Sequence, residues 1–224
     1  MASPAATLNR VVKIIPNRTA FLVCDVQERM WEIIPSFRGV VNTSAKMVRM
    51  AEILKVPVIV TEQTPNVFKP TVPEVIKQLS ALSPELRHGP FLKTKFAMTI
   101  PEVMEALKEI QSVVLFGVES HICVLQTALG MLELGKDVHI LADGVTSVNQ
   151  EEVSIAIARM RQAGAQITTS ESLLFQFLGD ATDPRFRAFN KISKEEKERS
   201  IESLRTLLGG EQAVRLPTTS GAEL

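Results

Sequence analysis

The chain is poor in the residues that most often announce a function. Its 224 residues hold two cysteines, three histidines, one tryptophan and no tyrosine. Cys24 and Cys123 form no disulfide framework, which points to a reducing compartment, the cytoplasm. His88, His121 and His139 are isolated, and no paired-histidine or Asp-x-His spacing suggests a metal site. Lys plus Arg and Asp plus Glu both number 25, so the formal net charge is zero. A chain without clustered positive charge is not expected to bind nucleic acid. No apolar run reaches membrane-spanning length, and residues 1–7 lack the charged and apolar regions of a secretory signal. No G-x-G-x-x-G or phosphate loop follows a strand, which argues against a dinucleotide enzyme and leaves no cofactor implied. Internal repeats and low-complexity tracts are absent too.

What is present has an ordinary globular balance. Hydrophobic residues make up 45% and charged residues 22%, and the length suits one domain with a sizeable core. Continuous apolar runs at 19–25, 57–61, 112–116, 137–141 and 165–168 read as strands buried on both faces. Helical periodicity fills 42–55, a segment from Pro73, 101–110, 150–163 and 171–178. The segment 89–98 reads as short and extended. Strands alternating with helices of this length predict an α/β fold, a doubly wound three-layer sandwich with a parallel sheet of about six strands. Its predicted organisation is an N-terminal arm at 1–18, a domain at 19–182, a charged helical extension at 183–208 and a disordered tail at 209–224. In the extension, alternating Lys, Arg and Glu flank a thin apolar stripe of Ile192, Ile201, Leu204 and Leu207. A solvated helix docked by one edge fits that pattern, and a subunit contact is the alternative.

The stretch 116–127 carries the chemistry. An apolar run ends at Gly117, and a helical face of Ile122, Leu125, Leu129 and Leu132 begins, with Gly135 where a C-cap glycine is expected. Cys123 then lies in a first helical turn, where free amides and the helix dipole favour a thiolate. In open parallel sheets the ligand crevice lies beyond the carboxyl ends of the strands. Asp25 closes the first strand. If that strand neighbours the one before Cys123, the carboxylate is placed as a general base for the thiol. Lys93 and Lys95 alternate beside Phe91 and Phe96, and either lysine among the rings would favour a thiolate. The bland alternatives are a core cysteine, a helix-capping aspartate and a surface lysine. Cys24, inside a strand, reads as core, and His121 is two residues from Cys123 and faces elsewhere on a helix.

Three motifs taken together resemble the isochorismatase-like cysteine hydrolase family. They are Leu22-Val23-Cys24-Asp25-Val26-Gln27, Lys93-Thr94-Lys95-Phe96-Ala97-Met98, and Gly117-Val118-Glu119-Ser120-His121-Ile122-Cys123-Val124. The resemblance covers residues 15–180, in order and spacing. It is closest to the eukaryotic isochorismatase domain-containing proteins, which share Thr61-Glu62-Gln63 and the run 158–162. It implies a triad of Asp25, Lys93 and Cys123, and it selects Lys93 by its distance from the aromatic residue. It also implies a cis peptide between Val118 and Glu119 whose neighbouring amides face an oxyanion, a metal-independent hydrolysis of a small amide-like molecule, and a homo-oligomer. Gln27, Met30 and Trp31 follow the first strand as expected pocket residues. Ala97 stands where the family carries a small hydroxyl residue. The metal-binding histidines of the nicotinamidase branch are missing after Asp25 and through 61–70. The rival class is a non-catalytic interaction protein that keeps the fold, which has no need of an acid, a lysine and a thiol together.

Overall fold

Five apolar runs and the mostly exposed segment 87–93 build six strands in the computed structural model, which describes residues 11–209. They are β1 (Thr19–Cys24), β2 (Val58–Gln63), β3 (Arg87–Lys93), β4 (Ser112–Val118), β5 (Asp137–Thr146) and β6 (Gln166–Thr168). All pair in parallel, in the order β3-β2-β1-β4-β5-β6. The order reverses between β1 and β4, and at such a switch point the connections leave in opposite directions and open a crevice. The described residues also form ten α-helices, the first seven between strands and the last three after β6: α1 (Met30–Ile33), α2 (Phe37–Leu54), α3 (Pro65–Phe68), α4 (Pro73–Ser80), α5 (Pro101–Ala106), α6 (Leu125–Glu133), α7 (Glu151–Gln162), α8 (Ser170–Leu178), α9 (Phe186–Glu195) and α10 (Lys197–Leu208).

Strand period decides which layer each side chain enters. Phe21 and Val23 of β1 join one core with α2, α4, α8 and α9. Ala20, Leu22 and Cys24 join the other with α5, α6 and α7. The doubly wound three-layer architecture is therefore the one the alternation of runs predicts. No described helix is long and apolar enough to cross a membrane.

Several boundaries differ from the sequence reading, each for a packing reason. Helix α2 starts at Phe37, five residues before the expected 42, because Phe37, Val40 and Val41 are buried. Gly39 within it is no breaker: a Cβ there would lie 2.9 Å from Leu207, so the glycine lets α10 approach. Strand β5 runs on to Thr146, past the expected end at 141. Gly144 sits against Thr43, Phe116 and Leu141, and Asp143 is 1% exposed, so packing carries the strand further. The charged extension is two helices. Glu196 separates them, buried and paired with Arg49 and Arg199. Phe189, Ile192 and Ser203 are the buried edge of this hairpin. All but the first residue of the expected tail at 209–224, and residues 1–10 of the arm, lie outside the described residues.

Candidate active site

The site is built where β1 and β4 end side by side. Cys24 and Gly117 are register partners in that ladder. A Cβ at Gly117 would stand 2.0 Å from the Cys24 carbonyl oxygen, and φ there is +129°. Only glycine fits such a backbone approach. After β1 the chain turns at Asp25, a non-glycine residue at φ 53°. After β4 the Val118–Glu119 peptide is cis. Ser120–Val124 then forms a π-helical turn before α6, so Cys123 lies in this turn and not in the α-helix itself.

Asp25 and Lys93 meet in the interior. Lys93 Nζ donates to Asp25 Oδ2 at 2.6 Å, and the side chains are 0% and 1% exposed. The ammonium also donates to Gln63 Oε1 at 2.9 Å, to the Phe96 carbonyl at 2.9 Å and to the Lys95 carbonyl at 3.2 Å. Thr61 Oγ1 donates to Asp25 Oδ1 at 2.8 Å. Burial disfavours the Lys93 charge, but its interactions with Cys24, Asp25 and Cys123 outweigh burial and raise its pKa. Lys95, its neighbour by alternation, is exposed, and its ammonium reaches only the Thr99 carbonyl.

Gln27 braces this arrangement from behind. Its amide accepts from Gln63 N at 2.8 Å and donates to the Gln63 carbonyl at 3.1 Å and the Lys69 carbonyl at 2.6 Å. Gln63 Nε2 donates in turn to the Thr94 carbonyl. Two glutamines thus fix the strand ends that carry Asp25 and Lys93.

Cys123 is 7% exposed and Cys24 fully buried. Burial raises the Cys24 pKa well above that of an ordinary thiol, and its hydrogen bond with Cys123 and the nearby Asp25 charge raise it further. Cys24 Sγ lies 3.7 Å from Asp25 Oδ2. Thr127 Oγ1 donates to the Cys123 carbonyl at 2.6 Å and accepts from Met98 N at 2.9 Å. That hydroxyl ties the cysteine turn to the segment after Lys93.

A cavity of about 100 Å³ opens over these groups, lined by Asp25, Met30, Gln63, Phe68, Phe96, Val118, Glu119, Ile122 and Cys123. The carboxylate and the thiol therefore share one space, and Lys93 stands behind it. Met30, Val118 and Glu119 line the cavity. Gln27 does not, because its amide is spent on the backbone. Trp31 does not either: its ring packs edge-on against Phe37 with Arg38 above it. His121 turns to Ser147 Oγ at 2.9 Å and does not line the cavity. Gln63 and Thr127 were not singled out as site residues. Gln63 stood inside the Thr61-Glu62-Gln63 run, whereas a threonine on the inner face of a helix carries no sequence signal. Among the described residues no group of three or more His, Cys, Asp or Glu side chains is placed to hold a metal ion.

A parallel doubly wound sheet with an acid, a lysine and a thiol at its switch point defines a class, and comparison fixes the family. Residues 19–172 match the isochorismatase domain. The chain belongs to the isochorismatase family. Isochorismatase domain-containing protein 2 of Bos taurus is 39% identical over 197 residues, 87% of this chain and 91% of that protein. The MAR1 ribonuclease structure from Caenorhabditis elegans superposes with a TM-score of 0.76 at 38% identity, over 81% of this chain and 92% of that one. The YcaC gene product of Escherichia coli, an octameric hydrolase of unknown specificity, shares the fold with a TM-score of 0.70 at 22% identity, over 90% of this chain and 97% of that one.

Proposed function

We propose that the chain is a cysteine hydrolase that cleaves an amide-like C–N bond of a small molecule, through a thioester on Cys123. The observation that carries this reading is the buried Asp25–Lys93 pair behind a cavity that Asp25 and Cys123 both line. Asp25 takes the thiol proton. The sulfur attacks the carbonyl carbon, and negative charge collects on its oxygen, held by backbone amides of the turn around Glu119 and Cys123. As the C–N bond breaks, Asp25 returns the proton to the departing nitrogen. A water then attacks the thioester with Asp25 as base, releasing the acid and the thiol. Lys93 touches neither the cavity nor the substrate. Its ion pair holds Asp25 in place beside the cavity. No step calls for a metal or a cofactor.

A cavity of about 100 Å³ and a net charge of zero favour a small-molecule substrate over a polynucleotide; the two free cysteines support a reducing cytoplasm, and the family resemblance supports a homo-oligomer. The test is a panel of amides, ureas and imides. On any substrate found, Cys123→Ala and Asp25→Asn each reduce turnover by roughly a thousandfold or more, since groups that act as a unit fail together. A Cys123→Ala protein that keeps most of its activity overturns the proposal.

A further inference from the structure

A second cavity, of about 190 Å³ and open to solvent at its rim, lies among α2, α8, α9 and α10 and shares no lining residue with the first. Lys46 of α2 lines it and is 5% exposed. Its ammonium donates to Ser170 Oγ at 2.7 Å and Ser200 Oγ at 2.9 Å. An ammonium has three donors, and no third acceptor and no ion-pair partner of Lys46 occurs among the described residues. The Ser170 hydroxyl is itself bound to Asp143, which also accepts from Ser170 N at 2.8 Å. The nearest buried carboxylate is thus spent on a serine one hydroxyl away.

A buried charge that lacks an ion-pair partner is costly and calls for a counter-charge. Burial accordingly lowers the pKa of Lys46, against the opposing pull of Asp143, Glu171 and Glu196. The rest of the space divides by character. Leu174, Phe189, Ile201 and Leu204 supply an apolar wall, and Lys197 adds a second cation at the rim against one exposed carboxylate, Glu171. An apolar cavity of about 150 Å³ holds a benzene-sized molecule, so this one is large enough for a ring or short chain bearing one carboxylate.

We propose that this cavity is a second binding site, taking a small monocarboxylate with an apolar body, its anionic end on Lys46 and its body against Leu174, Phe189, Ile201 and Leu204. The site is independent of the hydrolase reading. Hydrogen bonds to an ionised group are worth enough to set a charged ligand about tenfold or more above its neutral analogue.

The test titrates benzoate, and benzyl alcohol as a neutral probe of similar size, into the full chain carrying labelled Leu and Ile methyl groups. Benzoate is expected to shift Leu174, Ile201 and Leu204 saturably, about tenfold more tightly than benzyl alcohol, while Ile122 in the first cavity stays still. Lys46→Met removes that preference. Leu204→Trp fills the space without touching the ammonium and abolishes the shifts, so it decides the matter if the Lys46 variant does not fold. Shifts confined to Ile122, equal binding of the alcohol, or binding that survives in folded Leu204→Trp overturns the proposal.

Discussion

Lys93 Nζ lies 2.6 Å from Asp25 Oδ2 with neither side chain in contact with solvent. Desolvating two charges costs several kcal/mol for each ion, and attraction offsets that only where every remaining donor is met. Here Gln63, Lys95 and Phe96 supply the acceptors for the ammonium, and Thr61 supplies a donor for the carboxylate. Removing the ammonium leaves a buried carboxylate unpaired. Lys93→Met is expected to lose about 3–5 kcal/mol of stability, while Lys95→Met, on the surface, stays within about 0.5 kcal/mol of the parent. Urea unfolding of the two variants measures both.

Lys93, its charge favoured by Cys24, Asp25 and Cys123 together, gives a pH dependence. Because the folded state holds Lys93 above the ordinary value of 10.5, its contribution to stability is fully present below that value. It is lost as pH rises through the raised one. Parent stability is therefore expected to fall on the alkaline side, and Lys93→Met to lack that component of the fall. Unfolding midpoints across the alkaline range show the difference, and identical slopes would mean the ion pair is not felt.

Two glycines with positive φ separate steric from conformational cost. At Gly117 a Cβ meets the Cys24 carbonyl at 2.0 Å, and at Gly135 it meets nothing within 4 Å at φ +73°. Gly135→Ala should cost about 1–2 kcal/mol, the penalty of a left-handed alanine. Gly117→Ala should cost more than about 4 kcal/mol, in the range reserved for severe mechanisms, and should also displace the Cys123 turn. Thermal unfolding ranks them.

The two glutamines divide scaffold from pocket. Gln27→Leu leaves Gln63 N and two carbonyls without their partner and is expected to cost about 1–3 kcal/mol. Trp31→Phe, on a ring outside the cavity, should leave KM and kcat on any substrate unchanged. A large rise in KM for the tryptophan variant would return that ring to the pocket.

Much of this was legible in the chain because the signals are local. The apolar runs at 19–25 and 112–116 mark strands covered on both faces, and the Gly117 stretch marks the turn that carries Cys123. Separate residues came together only through topology. Lys93 lies 68 positions from Asp25, and the alternation of Lys93 with Lys95 leaves facing undecided until β3 is laid beside β2. What stayed hidden depended on long-range packing. The apolar run marks a strand only over 137–141, yet β5 continues to Thr146, where Gly144 packs against Thr43 and Phe116. Gln27 looked like a pocket residue because it follows the first strand, yet its amide is claimed by the backbone of residues 63 and 69. Lys46 sits on α2 like any helix lysine, and its burial depends on the packing of α8, α9 and α10 around it.

Assembly follows from the proposed reading. Sedimentation at micromolar concentration should show a species larger than the 24.7 kDa chain. A monomer at that concentration would remove oligomerisation from the account.

The most direct measurement of the central claim is intact-protein and peptide mass spectrometry after incubation with the amide panel, on the parent and on Asp25→Asn. The account predicts an acyl adduct on Cys123, formed with loss of the amine. That adduct should be absent from Cys24 and strongly reduced when Asp25 cannot take the proton. Turnover of a confirmed substrate with no adduct at Cys123, or an adduct that forms equally well in Asp25→Asn, would contradict it.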